Sequence, residues 1–114
     1  MDLTQLRKEI DEIDRQLVKL YEQRMDICTE IAKYKIENHK PVFDKQREIE
    51  KLQKVCGLAE KEENRKGVEE LFTQLMSLSR KLQYGILLER EKNDMFSFEI
   101  CKELVDEHTK VIFQ

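Results

Sequence analysis

Apolar residues recur every three or four positions along the first third of the chain. The series is Leu3, Leu6, Ile10, Ile13, Leu17, Leu20, Ile27 and Ile31. This spacing puts the apolar side chains on one face and predicts a single long amphipathic helix. Asp2 and Gln5 can form a capping box at its start. Nothing in the sequence breaks the helix before the stretch from Asn38 to Pro41.

The predicted length of this first helix points to more than one chain. A helix of about 35 residues extends for roughly 50 Å. A compact chain of 114 residues should have a radius of gyration of only about 13 Å. Because the helix is longer than the globule that one chain can build, we expect a second copy to cover its apolar face.

Two further helices are expected after Pro41. Asp44 can cap a short one, which Gly57 should close. A third helix should begin near Asn64 and fray around residues 92–94. Its apolar stripe comprises Val68, Leu71, Phe72, Leu75, Leu78, Leu82 and Ile86. The predicted fold is therefore all-α, with one very long, one short and one long helix.

The last part of the chain has a different pattern. We expect residues 1–91 to form one domain and residues 92–114 to be a linker leading into a second domain. Within the linker, Glu99–Glu107 could form a short helix. The ending Thr109–Gln114, TKVIFQ, is rich in β-branched and aromatic residues, which is typical of an opening β-strand.

Composition excludes several classes of function. Charged and apolar residues each make up 39% of the chain, and the net charge of −3 comes without a basic stripe, so nucleic acid is not an expected partner. No apolar run is long enough to span a membrane, and the N-terminus lacks a secretory signal, so we predict a cytoplasmic protein. Cys28, Cys56 and Cys101 have neither disulfide nor zinc-ligand spacing, and we expect buried free thiols.

Two cations on the first helix stand out because of where they lie. Arg24 occupies the seam position that Leu17 holds one heptad earlier and Ile31 one heptad later. Lys35 lies 11 residues further on, which returns it to within roughly 20° of Arg24 on the same face. An arginine in a seam is costly unless an anion meets it. A register-setting polar residue, or an arginine that reaches the rim, would explain Arg24 equally well.

Polar residues also interrupt the pattern elsewhere. Ser79 and Gln83 continue the apolar stripe of the third helix with hydrogen-bonding groups. Asp44, Arg47 and Glu48 cluster at the start of the second helix. Taken separately, Ser79 and Gln83 are better explained by an inter-helix hydrogen bond or by exposure at a helix end. A helix cap and a solvated ion pair are likewise the default explanation for the cluster at the second helix.

Considered together, the motifs resemble one family. LRKEIDEID, Gln23-Arg24, KYK ending at Lys35 and KPVFDKQREIE match the all-helical class of chorismate mutases in order and spacing, over residues 3 to about 90. Eight positions match the pocket residues of that family: Arg7, Arg24, Lys35, Asp44, Arg47, Glu48, Ser79 and Gln83. The tail resembles the opening strand of a prephenate dehydratase domain.

The resemblance implies an intertwined helical homodimer that converts chorismate to prephenate in phenylalanine and tyrosine biosynthesis, with no cofactor and no metal. Arg7 lies about 25 Å from Arg24 along one helix, so the partner chain must supply it. Arg7, Arg24 and Arg47 would anchor the substrate, chiefly through its carboxylates. Lys35 and Gln83 would donate to its ether oxygen. Glu48 would accept from the ring hydroxyl, while Asp44 and Ser79 orient the polar edge.

Two other functions fit much of this pattern. An isochorismate pyruvate-lyase would share the fold and several cationic residues, and it would release pyruvate. A catalytically silent regulatory or dimerisation module could use the same pocket to sense a metabolite. The intact set of eight polar positions favours a catalyst over the silent module.

Overall fold

A computed structural model describes residues 2–109 of the chain, with side chains for residues 2–95, and all its regular elements are helical. Helix α1 spans Leu3–Glu37 and helix α2 spans Lys45–Leu58. A short 3-10 turn, Glu62–Asn64, leads into helix α3, Arg65–Thr109. The described part of the chain contains no β-strand. The predicted all-α fold with three helices is therefore confirmed.

Both ends of α1 agree with the sequence pattern. At the start, the Asp2 carboxylate accepts a hydrogen bond from the Gln5 backbone N–H at 2.7 Å. At the end, His39 adopts a left-handed conformation with φ of 53°, and the Lys40 N–H donates to the Lys35 carbonyl at 2.8 Å. This is a Schellman motif, which satisfies carbonyls that the helix end leaves free.

Helix α2 starts where predicted but ends one residue later than expected. The Asp44 carboxylate accepts from the Arg47 N–H at 3.0 Å, so Asp44 is the N-cap. Gly57 was expected to close the helix, but it lies inside it with a negative φ. The helix ends at Leu58 because Ala59 turns to extended backbone, which needs no glycine.

Helix α3 is much longer than the sequence pattern suggested. It was expected to fray around residues 92–94, but it continues without a break to Thr109 and includes the short helix predicted for residues 99–107. No glycine or proline follows Gly85 in α3, and Arg90 and Asp94 form an i,i+4 ion pair at 3.8 Å, so nothing stops the helix. Residues 110–114, most of the predicted strand, lie outside the described residues. The domain boundary at residue 91 stays a prediction.

Packing within one chain leaves the N-terminal half of α1 exposed. Helices α1 and α2 both pack against α3, but every residue from Asp2 to Gln23 is exposed. The chain measures 79 × 34 × 20 Å and has a radius of gyration of 22.2 Å. The buried apolar residues of the described part number only five: Cys28, Ala32, Val42, Val55 and Met76. A single chain therefore forms an open, elongated unit with a small core.

The predicted thiols differ in their environments. Cys28 is buried, whereas Cys56 is only half-buried because it lies near the end of α2. The Cys101 side chain lies outside the described residues. Within the described part of the chain, no helix is both long enough and apolar enough to cross a membrane.

Candidate active site

The small core borders a cleft of about 240 Å³, formed by the C-terminal third of α1, the loop and start of α2, and the middle of α3. This volume lies just below the range of about 300–1,000 Å³ that is typical of drug-sized ligands, so the cleft suits a small metabolite. Seven of the eight residues singled out from the sequence line it: Arg24, Lys35, Asp44, Arg47, Glu48, Ser79 and Gln83.

Arg7 is the one predicted site residue that does not line the cleft. Arg7 is exposed and lies in the N-terminal part of α1, where every residue from Asp2 to Gln23 is exposed. Because α1 is continuous from Leu3 to Glu37, Arg7 lies about 25 Å along the axis from Arg24. The Arg7 guanidinium therefore cannot reach the cleft of its own chain.

Lys35 connects all three walls of the cleft. Its ammonium group donates to the Val42 carbonyl at 2.8 Å and to Oε1 of Gln83 at 3.3 Å. An ammonium group can only donate, so the amide atom of Gln83 that faces it must be the oxygen. The amide nitrogen of Gln83 takes no part in this contact, so its N–H groups are free to donate to another acceptor.

The Gln83 amide nitrogen is a buried donor without a protein partner. The side chain is only 6% exposed, yet among the described residues no group accepts from its Nε2. Buried polar groups in proteins are nearly always hydrogen-bonded, because an unpaired one costs free energy. An orphaned donor in the wall of a cleft therefore indicates a ligand that accepts a hydrogen bond there.

Arg24 is held in place by α3. Its guanidinium donates to the Ser79 hydroxyl, and Ser79 in turn donates to the Leu75 carbonyl at 2.8 Å. The Cys28 thiol lies 3.4 Å from the Ser79 oxygen. Ser79 is only 7% exposed, so its hydroxyl orients Arg24 and has little contact with solvent. The remaining guanidinium N–H groups are available to an anion.

The start of α2 supplies the outer edge of the cleft. Asp44 is occupied with capping the helix, whereas the Glu48 carboxylate forms an ion pair with Arg80 of α3. The guanidinium of Arg47 forms no ion pair with any described residue. One turn later on the same face, Lys51 also lines the cleft without forming an ion pair in the described part of the chain.

Lys51 and Arg80 are cleft residues that the sequence pattern did not single out. Lys51 follows Arg47 by four positions, and Arg80 precedes Gln83 by three, so helical spacing alone could have placed both on the cleft face. With them, five cationic side chains and two carboxylates line the cleft. The excess of three positive charges favours an anionic ligand with at least two negative charges. The apolar wall is formed by Cys28, Ile31, Val42 and Met76.

Comparison with known proteins gives one family match and several relatives. The family model described as chorismate mutase type II matches residues 6–84. The T-protein of Haemophilus influenzae is 37% identical over 51 residues, 45% of this chain. Two bifunctional chorismate mutase/prephenate dehydratases, from Buchnera aphidicola subspecies Acyrthosiphon pisum and Schizaphis graminum, are 42% and 38% identical over 48% and 53% of the chain.

These matches cover only part of the relatives. The aligned segment is 14% of the T-protein and 14% and 16% of the two bifunctional proteins. No solved structure matches this chain with significance.

Proposed function

Since this chain belongs to the chorismate mutase type II family, we propose that its cleft converts chorismate to prephenate in phenylalanine and tyrosine biosynthesis. The observation that carries the proposal is the pair formed by the Lys35 ammonium and the orphaned Gln83 amide donor. Both are hydrogen-bond donors at one point of a cationic cleft, and both suit an oxygen atom that gains negative charge.

The reaction explains what kind of site is required. Chorismate carries two carboxylates, and its rearrangement breaks an ether C–O bond while it forms a C–C bond in one cyclic movement of electrons. No proton is transferred and no covalent intermediate forms with the protein. The catalyst needs to hold the substrate in its reactive conformer and to stabilise the charge that develops on the ether oxygen.

Charge and donor geometry suggest a role for each side chain. Arg24 and Arg47, with Arg7 of a second chain, anchor the substrate, and Arg7 and Arg24 chiefly hold its two carboxylates, because guanidinium groups bind carboxylates at two points. Lys35 and Gln83 donate to the ether oxygen. Glu48 accepts from the ring hydroxyl. Asp44 and Ser79 orient the polar edge of the substrate, Asp44 from the first turn of α2, which it caps, and Ser79 through the Arg24 guanidinium that it holds.

A homodimer with two shared sites is part of the proposal. The seam residues of α1 from Leu3 to Leu20 are 40–59% exposed in a single chain, although they carry the helical apolar pattern. A second α1 running antiparallel would bury them and bring its Arg7 toward the Arg24 end of the first. The two-fold axis would then cross α1 near Leu17, where the side chain is 53% exposed.

Incubation of the purified chain with chorismate, with the product identified by chromatography, tests the activity. Prephenate from the wild type and at least a hundredfold loss in Lys35→Ala would support the proposed mechanism. Isochorismate should be offered in parallel, because release of pyruvate from it would instead identify a lyase. A folded wild type that transforms neither substrate would leave the regulatory module as the better interpretation.

Two further expectations belong to the whole protein. The two bifunctional relatives join a mutase to a prephenate dehydratase, which supports the proposal that this domain works joined to one. Conversion of prephenate to phenylpyruvate by the product of the complete gene would test it. The cytoplasmic location predicted from the sequence would be tested by cell fractionation.

A further inference from the structure

An ion pair between α2 and α3 closes one side of the cleft. Arg80 of α3 donates through Nη1 to Oε1 of Glu48 on α2. The two side chains are largely withdrawn from water, with 31% and 22% of their surfaces exposed. Arg80 is not among the eight positions that carry the family resemblance.

Phe43 restrains the same guanidinium from a second direction. The Arg80 Cζ atom lies 5.2 Å from the centre of the Phe43 ring, which is the geometry of a cation–π contact. Phe43 directly precedes Asp44, the N-cap of α2. Arg80 is therefore held against both the loop and the first turn of α2, so the position of Glu48 relative to α3 depends on it.

The partners of Arg80 distinguish it from the other cations of the cleft. Within the described residues, Arg24, Arg47 and Lys51 form no ion pair and are free to meet a substrate carboxylate. Arg80 already has a carboxylate partner. Its single contact on Oε1 leaves Oε2 of Glu48 without a protein partner among the described residues.

The ion pair with Arg80 reduces the repulsion that the proposed function implies between Glu48 and the substrate. A Glu48 carboxylate that accepts from the ring hydroxyl must lie near a substrate with two carboxylates of its own, and like charges repel. A guanidinium bound to one carboxylate oxygen offsets this repulsion and holds that oxygen beside α3. The second oxygen is then left to accept from the hydroxyl.

We propose that Arg80 is a positioning residue that acts through Glu48 to select substrates carrying the ring hydroxyl. This inference rests on the proposed mutase function and deepens it. Arg80 itself need not touch the substrate, and its effect should depend on the group that Glu48 binds.

A comparison of two substrates tests the proposal. Arg80→Gln and the wild type are assayed with chorismate and with its analogue that lacks the ring hydroxyl. With chorismate, the variant should lose about tenfold in kcat/KM, the effect of one charge-assisted hydrogen bond. With the analogue, the loss should be less than about twofold. Glu48→Gln should show the same selectivity, and the double variant should be little worse than either single one.

Three variants serve as controls. Arg90→Gln removes an ion-paired arginine of α3 outside the cleft and should leave kcat/KM unchanged. Lys51→Gln removes a cleft cation that forms no ion pair with Glu48, so it should lower kcat/KM by the same factor for both substrates. Arg80→Lys keeps a cation at the position and should recover part of the chorismate rate. It also carries the test if circular dichroism shows that Arg80→Gln is unfolded.

The outcomes separate the two levels of the proposal. The positioning role alone is overturned if the wild type is active but Arg80→Gln, or Arg80→Lys in its place, loses kcat/KM equally on both substrates. It is also overturned if the variant loses no kcat/KM at all. A folded wild type that yields no prephenate overturns the mutase function and the role of Arg80 with it.

Discussion

The ammonium group of Lys35 and the side-chain oxygen of Gln83 lie 3.3 Å apart, although 48 residues separate them in the sequence. The contact ties the oxygen end of the amide to Lys35, so the Gln83 N–H groups and the Lys35 N–H groups are donors held close to each other. Such preorganised donors need little rearrangement when charge develops on a bound oxygen.

Replacing Lys35 with alanine should lower kcat by about 10²- to 10³-fold, because removal of one preorganised donor raises a barrier by about 3–4 kcal/mol. The Val42 carbonyl would also lose its partner, which should reduce the free energy of unfolding by about 1–3 kcal/mol. Steady-state kinetics and thermal melting followed by circular dichroism would measure both effects. Lys33→Ala is the matched control, since Lys33 is exposed and pairs only with Glu30. Equal losses in the two variants would contradict a role for Lys35 in the cleft.

The pH dependence of the rate should depend on the amide at Gln83. The wild-type kcat should change little between mildly acidic and neutral pH, because an amide donates at every pH in that range. In Gln83→Glu the carboxyl group can donate only while protonated, so kcat should rise as pH falls and decline toward neutrality. Profiles of kcat for both proteins, with folding verified at each pH, test this. A wild-type rate that climbs steeply on acidification would exclude Gln83 as the donor.

Mixing two inactive variants should restore activity if Arg7 acts across the dimer. A chain carrying Arg7→Ala keeps its Lys35, and a chain carrying Lys35→Ala keeps its Arg7. Each mixed dimer has one intact site of two, so the purified mixed dimer should have about half of the wild-type activity, and a random mixture, in which half of the dimers are mixed, about a quarter. Co-expression with two affinity tags and purification of the mixed species would measure the first value. Purified mixed dimers without activity would show that the residues do not meet in trans.

A charge in the exposed seam of α1 should prevent dimerisation. Leu17→Asp would forfeit about 1.5–3 kcal/mol of apolar burial in each chain and would bring two like charges together near the two-fold axis. We expect the dissociation constant to rise at least about 10²-fold and the activity to fall with it. Sedimentation velocity over a concentration series is the measurement. Leu58→Asp is the control, because Leu58 is apolar and 71% exposed but lies on α2. A wild type that is monomeric at every concentration would refute the dimer.

The cap at Asp44 should contribute to stability separately from any substrate contact. Asp44→Ala removes the acceptor for the Arg47 N–H and should lower the free energy of unfolding by about 1 kcal/mol. Asp44→Asn retains an oxygen cap and should unfold within a few tenths of a kcal/mol of the wild type. Urea denaturation of the three proteins would show the difference. Equal destabilisation by both substitutions would mean that the charge, and not the cap, stabilises α2.

Local sequence determined the helices and their starts. Asp2 and Asp44 cap α1 and α2 as predicted because a capping hydrogen bond joins residues only three positions apart. For the same reason helical spacing placed Arg24 and Lys35 on one face, and both line the cleft. The apolar pattern of α1 was also correct, although in a single chain most of that face contacts no other helix.

Local sequence predicted the ends of α2 and α3 less well, because the residues there only weakly favour a helix end. The stretch 92–94 contains modest helix formers but no breaker, so α3 continues through it to Thr109. Gly57 permits a helix end without requiring one, and α2 runs past it to Leu58. In both cases a residue preference of less than about 1 kcal/mol was outweighed by continued helical hydrogen bonding.

The spacing of apolar and charged residues was enough to predict three helices, an apolar seam on α1 and two cations on one face of that helix. Which side chains meet depended on the packing of the helices: Lys35 with Gln83, Arg24 with Ser79, and Arg80 with Glu48. The physical reason is that helical periodicity follows from hydrogen bonds between residues four positions apart. Contacts across 32 to 55 residues depend instead on how the helices cross and rotate when their faces pack.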